Sequence, residues 1–171
     1  MRPISILGAL APLALAACAH TAEGPLDVPL GLPRAQVAGE LRRFDYCSGA
    51  DRMDDKRETY PRCDNPGLDF RDSWVTVDFD GDRVIRYQRW ERWDDDQRAT
   101  DRWSKLVTAR AKKTPPSDAA RVAVQARHDL PKGTRSWQAF QANEHTLVAV
   151  YLLEPRPPEN ASILEEILEE K

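Results

Sequence analysis

Residues 74–90 read WVTVDFDGDRVIRYQRW, two runs of β-branched and aromatic residues on either side of Asp80-Gly81-Asp82. In the first run Ser73, Val75, Val77 and Phe79 share one face by period two, while Trp74, Thr76 and Asp78 share the other. The second run, Val84 to Trp90, has the same character. The Asp-Gly pair at the join supplies the backbone freedom that a tight hairpin turn needs. The stretch predicts an antiparallel hairpin and therefore a sheet. Asp78, Asp80 and Asp82 also suggest a calcium loop, but glycine interrupts the ligand spacing and no Glu follows at the closing position. Turn chemistry accounts for them.

Working outward, Val37, Leu41 and Phe44 recur at helical spacing after Pro33, so residues 33–44 predict a helix. Beyond the hairpin, Asp94, Asp95 and Asp96 open a long helix running to Lys112 and Lys113, with acids and bases placed to complement the helix dipole. Its apolar stripe is Ala99, Trp103, Leu106 and Val107. Thr114-Pro115-Pro116 breaks the chain. Ser117 then caps a second helix, with Val122, Ala123 and Ala126 turned inward, that stops before Pro131. Two strands follow, Arg135–Phe140 and Thr146–Leu153. The latter is apolar on both faces, as a central strand is. The tail, 156–171, is acidic, and Ser162 to Lys171 can form a short helix with Ile163, Leu164, Ile167 and Leu168 on one side. The expectation is an α+β single domain at 30–155, with an antiparallel sheet of about four to five strands packed by about two to three helices.

The chain starts with Met1 and Arg2, followed by an apolar run from Ile4 to Leu15. That run is shorter than the ~20 residues a spanning helix needs, and it has the length and flanks of an export signal. It closes on Leu15-Ala16-Ala17-Cys18, which resembles the lipobox of bacterial lipoproteins. The resemblance implies that residues 1–17 are a signal peptide and that Cys18 carries a diacylglycerol, with a further acyl chain such as palmitate on the new N-terminus. Two or more chains anchor stably, because each buried CH₂ adds ~0.8 kcal/mol. Ala19 is not the aspartate that marks inner-membrane retention, which implies the outer membrane, facing the periplasm. Ala17-Cys18-Ala19 also fits an A-x-A cleavage site, which would release a soluble protein. Residues 18–29 are small and broken by Pro and Gly, and read as a tether.

With Cys18 given to lipid, Cys47 and Cys63 form an even pair in an exported chain, which reads as a disulfide. Ser48 to Arg62, between them, is dense in charge without an apolar period and predicts a polar loop. The C-x-x-C spacing and nearby histidine of a metal or redox site are missing there. A net charge of −3, one unit more negative once Arg2 is removed, gives no field that would suggest nucleic acid. Neither a Gly-rich phosphate loop nor G-x-S-x-G occurs. His20, His128 and His145 fall in the tether, at a helix end and beside a turn. The sequence therefore offers no catalytic residue, metal ligand or cofactor site. Among the tryptophans, Trp74, Trp103 and Trp137 read as core. Trp90 and Trp93, with Tyr87 and Arg89, sit at a charged strand end whose composition suits an interface. These four are the candidate partner surface, although core packing is the favoured reading for the two tryptophans.

Leu30-Gly31-Leu32-Pro33-Arg34-Ala35-Gln36-Val37, with Leu41 one turn on, resembles the helix opening of small outer-membrane lipoproteins of the SmpA/OmlA group. Val75–Asp82 resembles their later strand and turn. The resemblance implies helices on a small antiparallel sheet, and non-catalytic surface contacts with the machine that inserts β-barrels. Pro33 replaces the group's hydroxyl cap, and Asp94–Leu153 has no counterpart in a minimal member. The expected function is thus a non-enzymatic, lipid-anchored envelope protein that binds a protein partner in outer-membrane assembly or maintenance. The alternative is an inhibitor of a periplasmic hydrolase such as lysozyme. Tyr46-Cys47 and its charged loop loosely resemble part of the C-type lysozyme inhibitor pattern, an all-β barrel family, and the two helices expected over 94–130 speak against it. Cys18→Ser is expected to abolish lipidation and leave precursor, or soluble protein by the A-x-A route. Mass spectrometry of the wild-type mature N-terminus checks this, and an unacylated Cys18 would end the localisation argument.

Overall fold

The computed structural model describes residues 24–47, 49, 51–63, 72–155 and 160–170, so the signal peptide at 1–17 and Cys18 lie outside the described residues. The elements run α1 (Arg34–Arg42), β1 (Asp51–Asp54), β2 (Arg57–Pro61), β3 (Asp72–Asp80), β4 (Arg83–Trp93), α2 (Asp96–Ala111), α3 (Asp118–Gln125), β5 (Thr134–Asn143), β6 (Thr146–Leu153) and β7 (Ala161–Glu169). The strands form one seven-stranded sheet in the order β1-β2-β3-β4-β7-β6-β5, with every neighbouring pair antiparallel. The α+β class holds, and the strand count exceeds the expected four to five.

The extra strands come from two misread segments. The polar loop between Cys47 and Cys63 contains the β1–β2 hairpin, inside a disulfide that joins the two cysteines. The acidic tail is not a helix but β7, inserted between β4 and β6. A helix there would bury one stripe and leave the facing edges of β4 and β6 unpaired. The strand pairs both edges and buries both of its faces, Ile163 and Ile167 on one and Leu164 and Leu168 on the other. Its cost is that Glu165 and Glu166 are buried as well.

The β3–β4 hairpin follows its sequence pattern, with Trp74 opposite Trp90 and Val77 opposite Tyr87. Gly81 adopts φ 59° at the turn, a conformation that glycine takes without steric cost. Helix starts also match their signals. The Asp95 carboxylate accepts from the Arg98 N–H at 2.7 Å, and the Ser117 hydroxyl accepts from the Ala120 N–H at 3.1 Å. Pro33 precedes α1 without a side-chain cap; the Arg34 N–H donates instead to the Asp82 carbonyl at 2.9 Å, which pins α1 to the hairpin turn.

Two cores result. On the front face α1 and α2 bring Val37, Leu41, Ala99 and Leu106 onto Val75, Val77, Tyr87, Val150 and Ile163. On the back face α3 brings Ala120 and Val124 onto Trp137, Tyr151, Leu164 and Leu168. The inward face of α3 is therefore turned from the one the sequence suggested: Ala123 packs partly on the core, but Val122 is 67% exposed and Ala126 also faces solvent. The expected tether at 18–29 is likewise shorter, because Leu26 and Val28 are buried in the front core. Residues 24–30 form a strap across that face. At the β5 edge the Ser117 N–H donates to the Ala139 carbonyl, which covers part of an otherwise open strand. No helix among the described residues is long and apolar enough to cross a membrane.

Replacing Cys47 and Cys63 by serine is expected to lower stability by about 2–4 kcal/mol in denaturant unfolding, through the freed unfolded chain. The β3–β4 hairpin is expected to persist, read by its cross-strand NMR contacts, since its own turn and pattern set its register.

Candidate functional site

The candidate partner surface at Tyr87, Arg89, Trp90 and Trp93 is divided by the pleat of β4. Tyr87, Arg89, Glu91 and Trp93 alternate on the front face and are buried, with Arg89 at 1% and Trp93 at 5% exposure. Of the four, Trp90 alone points to the back and is half exposed. Of the charged residues at that strand end, Arg89 and Glu91 belong to a buried ion network, while Arg92 is exposed on the back.

That network grips the strap. Glu165 of β7, wholly buried, accepts from Arg110 Nε of α2 at 2.9 Å and lies 2.6 Å from Arg89 Nη2 of β4. The same carboxylate accepts from the Leu26 N–H at 3.0 Å. Arg110 donates to the Leu26 carbonyl at 2.5 Å, and Arg89 to the Gly24 carbonyl at 2.8 Å. Two turns earlier on α2, Arg102 holds Glu91 through two bonds of 2.8 and 2.7 Å. Burial raises the Glu165 carboxyl, but the Arg89 and Arg110 charges and the Leu26 N–H overcome it and hold the group below the usual carboxylate range. Glu91 behaves the same way: burial raises it, and Arg102 foremost pulls it below its ordinary value. Glu165 is met by two guanidinium groups and a backbone N–H, and Glu91 by Arg102, so their role is positional.

The back face offers a different surface. α3 packs on β5 and β6, and among the described residues no helix covers the β2–β4 half. There Trp74 and Trp90 stack at 6.0 Å between ring centroids, and the Arg92 guanidinium lies 4.9 Å from the Trp74 ring centre. A groove of about 350 Å³ runs beside them, lined by Pro131, Lys132, Leu153 and Asn160. Further along, Asp78 is held by Arg57 at 2.5 Å and Arg86 at 2.5 Å. Burial pushes its carboxyl up, and the two arginines bring it below the usual range. A second cleft, of about 500 Å³, lies over Asp78 and Arg86, with Arg127 and His128 on its far wall. Buried Glu166 lies beside it, 2.8 Å from His128 Nε2.

Sequence reasoning missed Glu165, Glu166, Arg102, Arg110 and His128. The signal for the arginines was present: Ala99, Arg102, Leu106 and Arg110 recur at helical spacing, so the inward stripe of α2 carries two guanidinium groups that need buried acids. His145 and Glu144 lie exposed in the β5–β6 turn. Among the described residues no group of three or more His, Cys, Asp or Glu is placed to hold a metal ion. No protein-family model, curated protein or solved structure matches this chain.

Glu165→Gln leaves Arg89 and Arg110 without their counter-charge and is expected to cost about 3–5 kcal/mol in chemical denaturation. The depressed folded values of Glu91 and Glu165 set a pH dependence. Their contribution is complete above the unfolded value of 4.5 and is lost as pH falls through the folded values. Wild type is therefore expected to lose stability below about pH 4.5 more steeply than the variant; parallel acid profiles would contradict this role for Glu165.

Proposed function

We propose that the protein is a lipid-anchored, periplasm-facing component of the outer membrane that binds a protein partner and performs no chemistry of its own. The observation that carries this reading is the β2–β4 half of the back face, where the Trp74–Trp90 stack and Arg92 meet solvent beside a groove. Tryptophan and arginine are the side chains that most often anchor interfaces. The strap adds a limit on reach. Gly24 is held to the domain by Arg89, so a lipid on Cys18 leaves a link of at most about 20 Å, at ~3.5 Å per extended residue. The partner is then one found at the membrane itself. Outer-membrane assembly or maintenance is the process implied by the resemblance of Leu30–Val37 and Val75–Asp82. The hydrolase-inhibitor alternative has no comparable support, since the sheet is open with β1 and β5 at its edges instead of an all-β barrel.

A photo-crosslinking side chain at Arg92 is expected to capture one defined membrane protein in intact envelopes, while the same probe at exposed Val122 does not. Trp74→Ala is expected to remove the Arg92 adduct at a stability cost of about 0.5–1.5 kcal/mol for the lost ring pair. Equal yields from the two probe positions, or an adduct indifferent to Trp74→Ala, would overturn the reading.

A further inference from the structure

His128 stands in the connection from α3 to β5, where its ring spans two acceptors. Nδ1 lies 2.8 Å from the Asp129 carbonyl oxygen, which only accepts, so Nδ1 carries a proton. Nε2 lies 2.8 Å from Glu166 Oε2. Both oxygens of Glu166 already accept: Oε1 from Gln88 Nε2 at 3.2 Å and Oε2 from the Tyr151 hydroxyl at 3.4 Å. Facing Glu166 as a carboxylate, the ring form that satisfies both contacts is the imidazolium. We propose that His128 and Glu166 form a proton-operated clasp that seats α3 and its following loop on the back face, closed when His128 is protonated and released when it is neutral.

The charges around the pair leave this contact in command. On β4, Arg86 reaches Glu166 only at 3.5 Å and is committed to Asp78 of β3 at 2.5 Å. Arg83 of β4 is paired with Glu169 of β7 at 2.5 Å. Asp80 of β3 and, on the clasp's own loop, Arg127 and Asp129 are solvent-exposed, where screening weakens them. The Tyr151 hydroxyl of β6 supplies a neutral hydrogen bond. Glu166, fully buried, thus has His128 as its short cationic contact. The Glu166 hydrogen bond lifts the imidazole above its ordinary value of 6.5, against an opposing effect of burial. A group raised on folding contributes its full stabilisation below 6.5 and loses it as pH rises through the raised value. The clasp closes on the acid side and opens on the alkaline side.

The rest of the seat of α3 is made of small contacts. The helix buries Ala120 and Val124, Ala123 and Leu130 pack partly against the same core, Arg121 lies 4.6 Å over the Trp137 ring, and the Ser117–Ala139 backbone bond ties its start. Local opening of so small a contact costs less than global unfolding, so removing one charged bond shifts it measurably.

The test uses the full chain and does not depend on any partner. The His128 ring is titrated by NMR, and amide-exchange protection of residues 118–133 is followed over the same range, corrected for intrinsic exchange. His128 is expected to titrate above 6.5, with protection over 118–133 falling about tenfold through that transition while β6 and β7 hold. His128→Asn, a substitution at a part-exposed site, is expected to leave the segment poorly protected at every pH. His128→Lys, a permanent cation in this range, is expected to keep it protected throughout. Titration at or below 6.5, protection that ignores the wild-type transition, or a wild-type profile in His128→Asn would each overturn the clasp.

Discussion

Adjacent residues of a strand point to opposite faces of its sheet, and in β7 both faces are covered. Glu165 and Glu166 are therefore carried into two separate interiors, and each must find its counter-charge there. An isolated carboxylate in such a place would cost several kcal/mol. The rest of the structure is arranged around meeting that demand. Glu165 draws in Arg89 from β4 and Arg110 from α2, and through them the backbone of Gly24 and Leu26. Glu166 draws in His128, and with it the end of α3. Because β7 joins β4 to β6, the strand that carries the two glutamates is also the one that makes a single sheet of the two halves.

The two solutions differ in kind. Guanidinium groups keep their charge at any pH a folded protein meets, so the front assembly holds wherever Glu91 and Glu165 are ionised and weakens only in acid. It fixes α2 and the strap together through Arg110 and the Leu26 carbonyl. The back assembly uses an imidazole, which holds its charge only on one side of its titration. The same requirement, a cation for a buried carboxylate, yields a fixed joint on one face and a conditional one on the other.

The chain's own pattern makes part of this legible. The β3–β4 hairpin, the start of α2 at Asp95, the start of α3 at Ser117 and the central character of β6 all rest on local signals: period two, an Asp-Gly turn, side-chain caps. β7 is different. In Ile163-Leu164-Glu165-Glu166-Ile167-Leu168 the apolar residues fit a helical stripe and a strand buried on both faces equally well. What decides is that β4 and β6 lack a partner between them, and that fact lies far away in the sequence. The surface reading of Tyr87, Arg89 and Trp93 fails for a related reason, and core packing, the favoured reading for Trp93, is what the fold shows. Charge at a strand end suggests solvent, yet Tyr87, Arg89, Glu91 and Trp93 share one face by period two, and Glu91 answers to Arg102 on the next helix. A buried arginine is recognised only together with its acid, and each of these pairs is made between elements.

The same economy of charge separates holding from binding. On the front face Arg89, Arg102 and Arg110 are engaged with buried acids, and Arg89 and Arg110 also with strap carbonyls, so a partner that docked on them would first have to break contacts whose loss costs several kcal/mol. On the back face the Trp74–Trp90 stack and Arg92 meet solvent, and their mutual contacts are of the aromatic and cation–π kind, worth about 1 kcal/mol or less at exposed positions. A partner can add to such a surface without undoing the fold beneath it. The strap and the aromatic stack lie on opposite sides of one sheet, so the chain can be held by its N-terminal segment while its other face stays free to be occupied.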